Sequence, residues 1–259
     1  MEPGAVAQAG TSGLRILARG GAVAANWLLD VLLPPRCPAC RDVVRIDGSF
    51  CAGCWAGLRF LTAPWCARCG LPFAHDLGDA SECGACLLKP PRYTTARSAL
   101  AYDGTARPVL LGFKHGDRQH LARLMAPQLA RVGMDWLGPD SLLVPVPLHR
   151  SRLWQRGFNQ AALLARLVGR RTGTPLLVDG LKRVKRTRLS RGMNRRQRTE
   201  NVRSAFRVAR PTAITGRRIV LIDDVLTTGA TVEACSRVLL RAGATSVHVL
   251  TWARVVRDA

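Results

Sequence analysis

The residues best suited to chemistry lie between Ile219 and Thr231, where two adjacent acids precede a turn rich in hydroxyl groups. An aliphatic run delivers Asp223 and Asp224, and the sequence Val-Leu-Thr-Thr-Gly-Ala-Thr follows at once. Backbone amides at the start of a helix and threonine hydroxyls bind phosphate dianions, and a glycine lets the backbone approach such an anion closely. Paired carboxylates accept hydrogen bonds from vicinal ribose hydroxyls, directly or, for one of them, through magnesium. The segment therefore predicts a ribose phosphate site.

An ordinary strand-to-helix turn capped by threonine is the alternative interpretation, although such a turn does not require paired acids before Thr-Thr-Gly-x-Thr. The run resembles the signature of type I phosphoribosyltransferases. That resemblance implies that Asp223 and Asp224, the expected catalytic residues, bind the ribose hydroxyls of phosphoribosyl pyrophosphate, with magnesium as a cofactor of the phosphoribosyl ligand. The implied phosphoribosyl-binding turn comprises Val225, Thr227, Thr228, Gly229, Ala230 and Thr231.

Eight of the nine cysteines form four pairs with two residues between the partners. The pairs are Cys37 and Cys40, Cys51 and Cys54, Cys66 and Cys69, and Cys83 and Cys86. This spacing lets two thiolates face one ion, and a second pair about ten to fifteen residues on completes a tetrahedral four-sulfur site. Four pairs therefore predict two structural zinc ions. Consecutive pairs are expected to share an ion, but a cross-braced arrangement satisfies the same spacing, and thioredoxin-like redox chemistry is a further alternative.

Further motifs extend the resemblance from Leu28 to the end of the chain. They are Val144-Pro-Val-Pro-Leu-His149, Arg156-Gly-Phe-Asn-Gln160, Arg198-x-x-Asn-Val202 and Ala205-Phe206. With the cysteine pairs they are similar to the ComF family, which joins a cysteine-rich zinc ribbon to a phosphoribosyltransferase domain. The resemblance implies a link to DNA uptake in natural competence, with DNA-uptake proteins and single-stranded DNA as partners.

Four cations are expected to bind the pyrophosphate group or to close a lid over it: Lys114, Arg150, Arg156 and Arg198. The phosphoribosyltransferase resemblance implies a pyrophosphate-binding turn at 148–157 and a flexible lid at 182–203. A cationic lid suits this chemistry, because departing pyrophosphate builds negative charge and the cation-like ribose must be protected from water. For any one of these cations, a solvated surface position is the alternative.

The elements that must position these residues alternate along the chain after residue 90. Strands are predicted at 98–102, 142–147, 175–178, 219–223 and 247–253, and helices at 121–132, 159–170 and 231–241, the second with Ala162, Leu163 and Leu167 inward. The alternation predicts an α/β fold with a mainly parallel sheet and flanking helices, in which ligands bind at the carboxyl ends of the strands. We expect three regions: an N-terminal tail and amphipathic helix at 1–36, a double zinc-ribbon module at 37–90, and a type I phosphoribosyltransferase-like domain at 91–259.

The net charge of +22 indicates attraction to polyanions, either nucleic acid or phosphorylated metabolites, although a general preference for arginine would also produce it. Aromatic residues are only 5% of the chain, and Trp55, Phe60, Trp65 and Phe73 are expected to pack the zinc module rather than to stack on bases. Two functions stay open. One is a phosphoribosyltransferase, which is a pentosyltransferase within the glycosyltransferases, and the other is a non-catalytic nucleotide-sensing adaptor associated with single-stranded DNA.

The longest apolar stretch, 14–33, is interrupted by Arg15, Arg19, Asn26 and Asp30. Ionised groups are costly at the centre of a bilayer, so no membrane insertion is expected. The stretch also lacks the preceding basic residues and the following small-residue cleavage site of a signal peptide. A cytoplasmic location follows, in which reduced cysteines are available as metal ligands.

Overall fold

A four-stranded parallel sheet is the centre of the fold. The computed structural model describes residues 34–114, 118–185, 195–202 and 204–256. The sheet has the order β1-β6-β5-β2, with β1 at Thr95–Ala101, β2 at Ser141–Pro145, β5 at Arg218–Leu226 and β6 at Ser246–Arg254. Strands β3 (Leu181–Arg183) and β4 (Phe206–Val208) pair with each other in an antiparallel ladder and form a separate small sheet.

Nine α-helices are described, two short ones among the cysteines before β1 and seven that follow β1, and helices cover both faces of the main sheet. They are α1 (Ala52–Ala56), α2 (Gly84–Leu88), α3 (Ala106–Phe113), α4 (Leu121–Val132), α5 (Arg150–Arg156), α6 (Gln160–Thr172), α7 (Arg195–Val202), α8 (Pro211–Ile214) and α9 (Ala230–Arg241). Helix α6 begins where the Asn159 side chain accepts a hydrogen bond from the amide of Ala161. It ends at Gly173, whose φ of 70° suits a residue without a Cβ.

The central strand β5 is buried on both faces, which explains its aliphatic sequence. Ile219 and Leu221 pack on one face with α9, in the same cluster as the fully buried Cys235. Val220 and Ile222 pack on the opposite face with α4 and α6. Successive side chains of a strand point to opposite faces, so two cores hold the strand that carries the paired acids at its end.

The cysteine-rich module is joined to the edge of this sheet through its backbone. The amide of Leu61 donates to the carbonyl of Ala99 at 3.0 Å, and residues 59–61 lie antiparallel to β1. Gly70, with a φ of 68°, lies so close to the carbonyl of Ala96 that a Cβ on Gly70 would collide with it. Glycine is therefore required where the module contacts the strand.

The predicted α/β fold is confirmed. Helix α4 has the predicted bounds, and the predicted strands at 98–102, 142–147, 219–223 and 247–253 correspond to β1, β2, β5 and β6. The predicted strand at 175–178 is only a single parallel bridge between Leu143 and Leu176. The amide of Leu143 donates to the carbonyl of Pro175, and the carbonyl of Leu143 accepts from the amide of Leu177. Only this residue of β2 bonds to the segment among the described residues, so the pairing does not extend into a strand.

The predicted inward face of α6 is confirmed in part. Leu163 and Leu167 are half-buried and pack against the core, Ala162 is half-buried, and the fully buried positions of the helix are Ala161, Leu164, Ala165 and Val168. The small residues of this helix allow it to lie close against the sheet, so apolar bulk alone did not identify all of its buried positions. The predicted amphipathic helix within 1–36 lies outside the described residues. Within the described residues, no helix combines the length and the apolar character that a membrane span requires.

Candidate functional site

The carboxyl end of β5 brings the two acids to the edge of the sheet. After Asp223 and Asp224 the chain passes Leu226 and turns at Gly229, which has a φ of 78° and is the N-cap of α9. Left-handed backbone costs a residue with a Cβ about 1–2 kcal/mol, so glycine suits this position. The first amides of a helix lack intrahelical partners, and the turn therefore offers donors to an anion.

Asp223 and Asp224 are adjacent but have different surroundings. Oδ2 of Asp224 lies 3.4 Å from Nζ of Lys114, the residue that ends α3. The backbone amide of Asp224 donates to Oδ1 of Asp223 at 2.9 Å. Loss of hydration raises the pKa of Asp223 to about 8, and the charge of Asp224 adds to this effect. The pair thus combines a carboxylate beside a cation with a carboxyl that holds its proton near neutral pH.

A cavity of about 170 Å³, here called the β5 cavity, opens beside these acids. It is lined by Lys114, Val146, Pro147, Leu148, Arg152, Arg156, Asn159, Gln160, Ala161, Arg183, Asp223, Asp224, Val225, Thr227 and Thr231. Cations therefore come from α3, α5 and β3, while the acids and threonines come from β5 and the turn that follows it. The cavity is mainly polar and suits a ligand that carries both phosphate groups and hydroxyls.

The arginines of the β5 cavity are close enough to repel one another. Burial lowers the pKa of Arg152, with repulsion from Arg156 as the second cause. Burial also lowers the pKa of Arg183, to which repulsion from Arg152 contributes. Arginine remains charged at physiological pH, so a bound anion would relieve this repulsion.

Asn159 and Gln160 fix the start of α6 within this cavity. Nδ2 of Asn159 donates to the carbonyl of Val146 at 3.2 Å, which ties the helix to the segment after β2. Oε1 of the buried Gln160 accepts from Nη1 of Arg156 at 3.1 Å. Nε2 of Gln160 has no hydrogen-bond partner among the described residues. A buried donor without a partner costs about 1–3 kcal/mol, so this amide is suited to donate to a ligand.

Most of the site residues selected from the sequence lie together in the β5 cavity: Asp223, Asp224, Val225, Thr227, Thr231, Lys114 and Arg156. Thr228 and Gly229 belong to the same turn but line a second cavity, and Ala230 is the first residue of α9. Arg150 is exposed at the start of α5 and is not part of the lining. Arg198 lies in α7, and its side chain is outside the described part of the structure.

Arg152, Arg183 and Gln160 also line the β5 cavity. They lie, respectively, within the expected turn at 148–157, the expected lid at 182–203 and the motif at 156–160, but none of them was among the four cations expected to bind pyrophosphate. Arg152 lies four residues before Arg156, and that spacing places both side chains on one face of a helix. The spacing is a local signal that could have identified Arg152. Arg183 reaches the cavity because β3 pairs with β4, and no local sequence pattern predicts that pairing.

The eight paired cysteines form two clusters, each with its four Sγ atoms within 4.8 Å of one another. One cluster contains Cys37, Cys40, Cys51 and Cys54, and the other contains Cys66, Cys69, Cys83 and Cys86. Consecutive pairs therefore share a site, which confirms the expected pairing and excludes the cross-braced one.

The clusters fit zinc. Sγ of Cys40 and Cys51 are 3.6 Å apart, and those of Cys69 and Cys83 are 3.7 Å apart. Zn–S bonds of about 2.3 Å in a tetrahedron place sulfur atoms about 3.8 Å apart. The amides of Cys69 and Cys83 donate to Sγ of Cys66 at 3.4 and 3.3 Å, as expected around a metal-bound thiolate. Four sulfurs close each site, so the zinc it would hold is structural.

Comparison with known proteins assigns the same two parts. The double zinc ribbon domain matches residues 28–87, and the phosphoribosyl transferase domain matches residues 156–257. Competence protein F of Haemophilus influenzae is 31% identical, over 85% of this chain and 96% of that protein. DNA utilization protein YhgH of Escherichia coli is 32% identical, over 84% of this chain and 96% of that protein. Competence protein ComFC of Bacillus subtilis is 28% identical, over 82% of this chain and 87% of that protein.

Proposed function

We propose, because the chain belongs to the ComF family, that its β5 cavity binds phosphoribosyl pyrophosphate together with magnesium. This binding would contribute to DNA uptake. The observation that carries the proposal is the meeting of paired acids, a hydroxyl-rich turn and four cations in one cavity. Few ligands need all three. Phosphoribosyl pyrophosphate presents a 5-phosphate, a vicinal diol and a pyrophosphate, which makes it complementary to the whole lining.

The turn that begins α9 is assigned to the 5-phosphate. Thr227 and Thr231 line the β5 cavity, and Gly229 leaves its backbone accessible, since nothing lies within 4 Å of the point where a Cβ would be. Asp223 and Asp224 are assigned to the ribose hydroxyls. Charged acceptors make the stronger hydrogen bonds, each contributing about 1.5–3 kcal/mol, so the diol should be a main determinant of affinity.

The cations Lys114, Arg152, Arg156 and Arg183 are assigned to the pyrophosphate. If the protein transfers the ribosyl group, an acceptor nucleophile supplies an electron pair to C1, the bond between C1 and pyrophosphate breaks, and pyrophosphate leaves with the electron pair of that bond. Guanidinium groups that face one another in a partly buried cavity stabilise that growing charge without moving. Gln160 holds Arg156 in place, which reduces the entropy that Arg156 loses on binding.

Magnesium would be held by Asp223 and Asp224, because carboxylate oxygens are the ligands it prefers, and it would neutralise phosphate charge. A protein that carries Asp223 in its protonated form must release that proton before the carboxylate can serve as a ligand. Magnesium should therefore raise the affinity for phosphoribosyl pyrophosphate. This effect should increase as the pH rises toward the pKa of Asp223, about 8.

Calorimetric titration with phosphoribosyl pyrophosphate, with and without magnesium, tests this function. Arg152→Ala is expected to weaken binding by about tenfold, whereas Arg150→Ala, two residues away and outside the cavity, should leave it within about twofold. Equal effects of the two substitutions would mean that the ligand is held elsewhere. A screen for pyrophosphate release with nucleobases, amines and DNA as acceptors then separates an enzyme from a nucleotide-sensing adaptor.

A second function, binding of single-stranded DNA, is favoured by one side chain. Trp154 on α5 is 90% exposed and lies in the same short helix as Arg150, Arg152 and Arg156. An exposed aromatic ring among arginines is the combination that stacks on bases while cations contact phosphates. The names of the relatives, which refer to competence and DNA utilization, support the same partner. The two cysteine clusters need reduced thiolates to hold zinc, which supports a cytoplasmic location.

A further inference from the structure

A second cavity, of about 250 Å³, lies between the second zinc site and the turn that begins α9. We call it the ribbon cavity, and its walls include Cys69, Cys83 and Cys86 of the second zinc site and Thr227, Thr228 and Gly229 of the turn. Pockets for drug-sized ligands usually have about 300–1,000 Å³, so this cavity suits a smaller molecule. Both family domains contribute to its walls, and neither would form it alone.

The ribbon cavity is distinct from the β5 cavity although one turn separates them. Val225 and Thr231 face the β5 cavity, while Leu226 and Thr228 face the ribbon cavity, and only Thr227 lines both. For Val225 and Leu226 this division follows from the strand geometry at the end of β5, where successive side chains point to opposite sides. Neither of the paired acids lines the ribbon cavity, so its ligand does not compete for the ribose position.

The charge of the ribbon cavity is balanced when zinc is bound. A zinc ion with four thiolates carries a formal charge of about −2. Lys89 and Arg254 are the cations of the lining, and among the described residues no acidic side chain contributes to it. Their two positive charges offset the zinc site. A strongly charged ligand would disturb this balance in a partly buried space, so an uncharged ligand is favoured.

The polar groups of the ribbon cavity are mainly donors. Arg254 is nine-tenths buried, its Nη1 donates to the carbonyl of Cys69 at 2.5 Å, and its Nε has no hydrogen-bond partner among the described residues. Tyr93 is buried and brings a phenol, which is protonated at neutral pH, and Thr228 brings a hydroxyl. The remaining walls, at Leu71, Pro91, Leu226 and Val255, are apolar. The ligand should thus have apolar faces and several acceptor atoms.

We propose that the ribbon cavity binds the ring of a nucleobase, an uncharged planar heterocycle whose carbonyl and ring-nitrogen atoms accept from the cavity's donors. The same ring could come from a free base or from a base of single-stranded DNA. This proposal does not depend on the binding of phosphoribosyl pyrophosphate. Because the two cavities share the turn around Thr227, occupancy of one should change the affinity of the other, and the two changes must be equal.

Fluorescence titration with 2-aminopurine, an uncharged fluorescent base, tests the proposal on the zinc-loaded full chain without phosphoribosyl pyrophosphate. Saturable binding at one site per chain is expected. Ala85→Phe would fill the cavity from its exposed rim and should weaken binding by about tenfold or more. Ala52→Phe is the matched control, since it alters the equivalent helix of the first zinc site, away from the cavity, and should bind as the parent does.

Tyr93→Phe gives an independent test, because it removes only the phenol and should weaken binding by about three- to tenfold. A 2-aminopurine placed inside a short single-stranded oligonucleotide then identifies the source of the ring. Binding of the oligonucleotide alone that is sensitive to Ala85→Phe would support the cavity and assign it to DNA. The proposal is overturned if neither probe binds saturably to the parent. It is also overturned if Ala85→Phe and Tyr93→Phe, with zinc content and circular dichroism unchanged, bind as the parent does.

Discussion

Nζ of Lys114 lies 3.4 Å from Oδ2 of Asp224, so a residue at the end of α3 contacts a residue 110 positions later, at the end of β5. This contact distinguishes two acids that the sequence presents as equivalent. Asp224 lies beside a cation, whereas loss of hydration and the neighbouring charge of Asp224 raise the pKa of Asp223 to about 8. The ligand-free site therefore already has one acid with a counter-ion and one that holds a proton.

Replacing both acids tests the ribose assignment. Asp223→Asn combined with Asp224→Asn should weaken binding of phosphoribosyl pyrophosphate by tenfold or more, which is about 1.4 kcal/mol or above, because charged acceptors for the diol are lost. The fold should survive, since both residues lie at a strand end. Calorimetry on the double variant measures the loss, and Asp140→Asn, an exposed acid just before β2, is the control. Unchanged affinity in the double variant would show that the acids do not hold the ribose.

The raised pKa of Asp223 predicts the pH dependence of stability. An unfolded chain releases this proton near pH 3.9, whereas the folded protein releases it near pH 8. The group's contribution to stability is therefore fully present below about pH 4 and is lost as the pH rises through about 8. Asn does not titrate, so Asp223→Asn should gain in melting temperature relative to the parent as the pH rises, by roughly ten degrees between about pH 5 and pH 9. Thermal melts across this range that run parallel for the two proteins would contradict the shift.

Much of the site could be predicted because its signals are local. The aliphatic strand, the paired acids and the Thr-Thr-Gly turn are contiguous in sequence, and they remain contiguous at the end of β5. The cysteine spacing likewise fixes the ligands of each cluster, because a tight turn brings both thiolates of a pair together. In both cases the geometry depends on a few neighbouring residues.

The rest could not be predicted because it depends on contacts between distant segments. Arg183 reaches the β5 cavity through the pairing of β3 with β4. Lys114 was an expected cation, but the helix α3 that brings it to the cavity was not predicted. The ribbon cavity has a similar origin. Arg254 ends β6, while Cys69 belongs to the zinc module, and only the docking of that module on β1 brings them into contact.

Zinc content and ligand affinity should be linked through the second cluster. The parent should contain about two zinc ions per chain, and Cys37→Ser and Cys66→Ser should each retain about one. Cys66→Ser should also weaken phosphoribosyl pyrophosphate binding more than Cys37→Ser does, because Cys69, of the Cys66 cluster, accepts a hydrogen bond from Arg254 beside the turn that holds Thr227. Metal analysis and calorimetry on the same samples check both points. A zinc content near zero in freshly reduced, folded parent would contradict the assignment of both clusters.

The exposed indole of Trp154 tests the DNA function. Base stacking on an aromatic ring is worth about 1–3 kcal/mol, so Trp154→Ala should weaken binding of a single-stranded oligonucleotide by at least about fivefold. Trp55→Ala is the matched control, because Trp55 is also exposed but packs against Phe60 in the zinc module, with ring centroids 5.4 Å apart.

The salt dependence of the same titration reports the phosphate contacts. The logarithm of the affinity should fall linearly with the logarithm of the salt concentration, with a slope of about 0.7 for each phosphate contact. Trp154→Ala should lower the affinity without changing this slope, whereas Arg152→Ala combined with Arg156→Ala should reduce the slope.

Phosphoribosyl pyrophosphate should compete with the oligonucleotide, because both ligands need the arginines of α5. Absence of binding at low salt would contradict the DNA function and leave the charge of +22 as a compositional feature of the chain. Binding that is indifferent to all of these substitutions would instead locate the DNA site outside α5.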